Sequence, residues 1–72
     1  MKDYSERRVA MALSLLKQTL EQNVNDTGEI LDEYESTHDD YELSVSKQYG
    51  ALNTAHFAMI ELINRINNQL NK

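Results

Sequence analysis

The chain is 72 residues long and carries a net charge of −5, with 40% hydrophobic residues, two glycines, no proline and no cysteine. This length allows one domain at most, near the size at which a single core barely outweighs chain entropy. Lack of cysteine excludes a disulfide framework and a thiolate zinc site, two histidines are too few for a closed structural metal site, and self-association remains as the supplement.

No stretch approaches the ~20 apolar residues of a membrane span, so no membrane partner is expected. The opening Met1-Lys2-Asp3-Tyr4-Ser5-Glu6 has no apolar run of signal-peptide type. A cysteine-free chain suits a reducing compartment, and the expected location is the cytoplasm. Near-absence of helix breakers, with no alternating β-branched runs, predicts an all-α fold.

Three capping boxes punctuate the chain: Asp3-x-x-Glu6, Asp26-x-x-Glu29 and Asp39-x-x-Glu42. Each sets an N-cap acceptor three residues before a glutamate that can reach back. They predict a first helix at about 4–24, a second at about 27–36 and a third at about 40–71. Val9, Leu13, Leu16 and Leu20 stripe the first helix, widened by Ala12 and Val24. Ile30, Leu31 and Tyr34 give the second a narrower stripe. Asn25, Asp26 and Gly28, poor residues for a helix interior, predict a break or kink at 25–28.

The third helix carries the strongest pattern. Val45, Tyr49, Leu52, His56, Met59, Ile63, Ile66 and Leu70 follow an unbroken 4-3-4-3 spacing, which draws one seam down one helical face. The opposite face, at Lys47, Thr54, Glu61 and Asn68, is polar throughout. The short connector at Ser36–Asp39 turns the chain back on itself, giving a long antiparallel helical hairpin. Its apolar stripe is longer than one partner helix can cover, so the eight seam residues are expected at a homodimer interface that closes a four-helix bundle. Gly50, Ala51, Phe57 and Ala58 form a second patch suited to receive a helix, and Leu15 lies off register in the same way.

Charge is uneven. Residues 26–42 hold eight acids (Asp26, Glu29, Asp32, Glu33, Glu35, Asp39, Asp40 and Glu42) and no lysine or arginine, whereas the flanking segments are mildly basic. A solvated face explains such a run in part. The functional reading is a docking surface for a protein partner with a basic surface, with Tyr34 and Tyr41 as apolar anchors. Arg7, Arg8 and Lys17 are too sparse and too mixed with acids to favour nucleic acid.

No chemistry is written into the motifs. Glu35-Ser36-Thr37-His38 has the Glu-x-x-His spacing of bundle metal sites, but in one copy at a helix end, where His38 suits the helix dipole. His56 is expected to be a hydrogen-bonded seam histidine. There is no glycine-rich loop, no nucleophile beside a base and no facing carboxylate pair, so neither an enzyme nor a cofactor is expected. In outline, a hairpin dimer of this kind resembles the plasmid copy-control RNA-binding bundles, in architecture alone. The sequence thus predicts a small acidic regulator or inhibitor. Its alternatives are an adaptor module that completes a partner's bundle and, further off, an RNA-binding dimer.

Overall fold

A computed structural model describes the backbone of residues 2–71 and the side chains from Ser5 to Asn71. Three helices account for nearly all of it: α1 (Lys2–Thr37), α2 (Asp40–Val45) and α3 (Lys47–Leu70). No strand occurs among the described residues. α1 packs antiparallel along α3 in a rod of 56 × 17 × 15 Å, so the expected all-α helical hairpin is the fold.

Two element boundaries differ from those expected. α1 runs without a break through 25–28, so the Asp26–Glu29 capping box does not form. Asp26 instead accepts a hydrogen bond from Gln22 Nε2 at 3.2 Å, one turn earlier on the same helix. Thr27 Oγ1 likewise donates back to the Val24 carbonyl at 3.2 Å. Each poor helix former costs less than about 1 kcal/mol, and a face packed continuously on α3 outweighs that. The expected Asp3–Glu6 box rests on the Asp3 side chain, which lies outside the described residues; the backbone is already helical at Lys2.

The second difference is at Ser46, where the expected third helix divides into α2 and α3. Ser46 closes α2 through its amide on the Leu43 carbonyl and caps α3 by accepting from the Tyr49 amide at 3.1 Å. Its hydroxyl also meets Tyr34 Oη at 3.0 Å. This tie from α1 fixes the break. Val45 thereby leaves the stripe and is 59% exposed. The Asp39–Glu42 box forms in full, with Glu42 N to Asp39 Oδ1 at 2.8 Å and Asp39 N to Glu42 Oε1 at 2.9 Å.

The register of the hairpin is set by two cross-contacts. Thr27 lies opposite His56, at 2.7 Å, and Tyr34 stacks on Tyr49 with ring centroids 5.6 Å apart. Along the seam, α3 contributes Tyr49, Leu52, His56, Met59, Ile63, Ile66 and Leu70, all buried or half-buried. α1 answers with Leu13, Lys17, Leu20, Val24, Thr27, Leu31 and Tyr34, a continuous 4-3-4-3 series that His38 extends into the turn. Only Leu31 and Ile66, 5% and 4% exposed, are buried among the described residues. Leu70 falls level with Leu13 in this register. The first three turns of α1 therefore extend past Leu70 as an arm, and Ser5, Glu6, Val9 and Ala10 line a notch with Gln69 and Leu70.

Candidate functional site

The predicted acidic segment folds into one end of the rod, made by the last three turns of α1, the turn at His38–Asp39 and α2. The structure sorts its residues into two groups. Tyr34, Glu35, Asp39 and Glu42 hold the fold together, whereas Glu29, Asp32, Glu33, Asp40 and Tyr41 face solvent.

In the first group, Tyr34 is half-buried at the centre of a stack. His38 lies parallel to it at 4.0 Å and 7° on one side, and Tyr49 lies on the other. The His38 ring also meets the Tyr34 carbonyl and the Thr37 hydroxyl through Nδ1, both at 2.9 Å. Tyr49 Oη donates to Glu35 Oε2 at 2.5 Å, joining α3 to the end of α1. That bond, then desolvation and the negative charge of Glu35, hold the Tyr49 hydroxyl above the ordinary tyrosine value of 10.0. Both members of the Glu-x-x-His pair are thus engaged in closing the hairpin. No group of three or more His, Cys, Asp or Glu able to hold a metal occurs among the described residues.

The second group has a different character. Glu29, Asp32, Glu33 and Asp40 make no side-chain hydrogen bond or ion pair with other described residues. Asp40 opens α2, where a negative charge suits the helix dipole. The others are not placed to advantage. Asp26, Glu29 and Glu33 follow one another at three- and four-residue spacing, a ladder of like charges down one side of α1. Asp32 and Glu33 also approach the C-terminal end of α1, whose last turn carries no base, and there the dipole repels them. Tyr41 follows Asp40 in α2 and is 74% exposed, while Tyr34, the other expected anchor, is half-buried.

Seven of the eight predicted seam residues lie together along α3 and face α1 of the same chain; Val45 does not join them. Gly28 approaches the seam beside His56, and a Cβ built on it would sit 3.5 Å from His56 Cε1. Sequence reasoning missed the parts of Thr27 and Ser46. Ser46 had a signal, being a residue type favoured at N-caps, but no glutamate follows it at the capping-box spacing. Leu13 and Leu20 take the seam as expected, whereas Val9 and Leu16 lie beside it and stay 58% and 46% exposed.

No helix among the described residues is long and apolar enough to cross a membrane. Comparison with known proteins finds no matching family model, no matching curated protein and no matching solved structure.

Proposed function

We propose that the chain is a small, non-enzymatic protein-binding regulator of the cytoplasm, whose acidic end docks the basic surface of a partner protein. The observation that carries this reading is the cluster Glu29, Asp32 and Glu33, none of which bonds to another described side chain. Glu29 repels Asp32 and Glu33 at three- and four-residue spacing, and the latter two approach the negative end of their own helix, with no lysine or arginine within reach on α1. Fold stability gives no reason for them, and a basic partner does. Tyr41 supplies what a charged patch alone lacks, an exposed aromatic side chain able to fill a pocket. The hairpin acts as half of a four-helix bundle, since two buried side chains among the described residues make a thin core.

The test is capture of a binding protein by the immobilised full chain, compared with a Glu29→Lys, Asp32→Lys, Glu33→Lys variant. Binding is expected to be lost in the variant and to weaken steeply with added salt. Binding that survives both charge reversal and salt overturns docking through the acidic end. It favours instead the second reading, an adaptor whose exposed apolar side completes a partner's bundle. That reading has its own support in Val9, Leu16 and Ile30, which are roughly half exposed along one side of α1.

A further inference from the structure

The hairpin has two unlike sides. In an antiparallel pair, the positions just before each alternate seam residue lie on the same side of both helices, as Val9 and Gln69 do where they line one notch. On this side α1 presents Val9, Leu16 and Ile30 at intervals of seven and fourteen residues, 58%, 46% and 51% exposed. α3 presents Leu62, 42% exposed, and the exposed alanines Ala55 and Ala58. The other side is more mixed, with Ser14, Glu21 and Glu35 on α1 and Asn53 and Asn67 on α3 set among the half-buried Ile60 and the exposed Met11 and Phe57. One side is therefore built to be covered.

Area and charge together point to what covers it. The chain exposes 5836 Å², about 1,200 Å² more than the roughly 4,600 Å² usual for a folded monomer of 8.3 kDa. A stable dimer removes about 800 Å² from each partner, well within that excess. The rod is also electrically lopsided. Eight acids crowd residues 26–42 at one end, whereas the other end has Arg7 and Arg8 beside Glu6, and Arg65 is paired with Glu61 at 2.9 Å. Two copies laid face to face with like ends together would pair acid with acid. Turned end for end, they keep the two acidic ends apart, and the N-terminal arm of α1 lies along the acidic half of its neighbour.

We propose that a second copy of this chain, turned end for end, covers the side bearing Val9, Leu16, Ile30 and Leu62. This rests on the reading that the hairpin is half of a four-helix bundle, and it gives that bundle its face and direction. Val9 then lies within one helical turn of the second copy's Ile30. Leu62, at mid-length of the rod, lies beside its own counterpart.

The absence of native cysteine makes the test direct. In the full chain, Leu62→Cys is expected to link to itself on air oxidation, whereas Val9→Cys and Phe57→Cys are not. Leu16→Lys is expected to weaken association roughly 100-fold by burying an unpaired charge. Circular dichroism confirms that each variant is helical. Self-linking of Val9→Cys would reverse the direction, and self-linking of Phe57→Cys in place of Leu62→Cys would move the face; each overturns this inference and leaves pairing intact. A wild-type mass of one chain at every concentration overturns both.

Discussion

Thr27 and His56 meet across the hairpin seam, Oγ1 to Nδ1 at 2.7 Å, and so tie the weakest-looking stretch of α1 to the middle of α3. The Thr27 hydroxyl has one proton and points it at the Val24 carbonyl. Its oxygen is then free to accept from an imidazole protonated at Nδ1. The contact satisfies a ring that is half-buried among apolar neighbours.

Replacing Thr27 with valine keeps the shape and removes the acceptor. Thr27→Val is expected to lower unfolding free energy by about 1–2 kcal/mol, and Thr27→Ser by much less. Urea unfolding measures both. Equal stability of Thr27→Val and wild type would mean that water satisfies the imidazole instead.

The two glycines offer a contrast within one fold. Both lie in helices at ordinary backbone angles, and neither has a positive φ. A Cβ on Gly50 meets nothing within 4 Å, so Gly50→Ala is expected to stabilise by about 0.5–1 kcal/mol. A Cβ on Gly28 makes ordinary contact with His56, so Gly28→Ala is expected to gain a similar amount. Thermal melts decide; a loss at Gly28 alone would mean that α1 and α3 approach more closely there.

Much of this was legible in the sequence, and the failures have identifiable causes. The seam from Tyr49 to Leu70 was readable because seven correctly spaced residues leave α3 one way to lie. The Asp39 cap was readable because its partner Glu42 is local. The break expected at 25–28 rested on local signals, helix propensity and the Asp26–Glu29 spacing, and the partner that holds Thr27 in a helix lies 29 residues away. The break at Ser46 depends likewise on Tyr34, twelve residues back. The acidic segment was evident as composition. Its division into acids that close the hairpin and acids that face outward required knowing that Tyr49 reaches Glu35.

Ser46 serves two helices and one tyrosine at once. Ser46→Ala is expected to cost about 1–2 kcal/mol through the lost cap, lowering Tm by about 4–8 °C for each kcal/mol. Calorimetry checks it. An unchanged Tm would show that α2 and α3 keep their junction without the hydroxyl.

The Tyr49–Glu35 bond should give stability a dependence on alkaline pH. Tyr49 titrates above 10.0 in the folded chain because the bond requires its proton. Its contribution is complete below the unfolded tyrosine value and is lost as pH rises through the folded one. Wild type is therefore expected to lose more stability than Tyr49→Phe between about pH 9 and 11. Chemical denaturation at several pH values gives the comparison, and parallel curves would mean that the bond does not bias folding.

The account holds above all that the outward acids of α1 serve a partner at the expense of the fold. The most direct measurement is the melting temperature of a Glu29→Gln, Asp32→Asn, Glu33→Gln variant against wild type at low salt. The account predicts a higher melting temperature in the variant, with the difference shrinking as salt screens the repulsion in wild type. A lower melting temperature would show that these carboxylates stabilise the helix that carries them, and would contradict it.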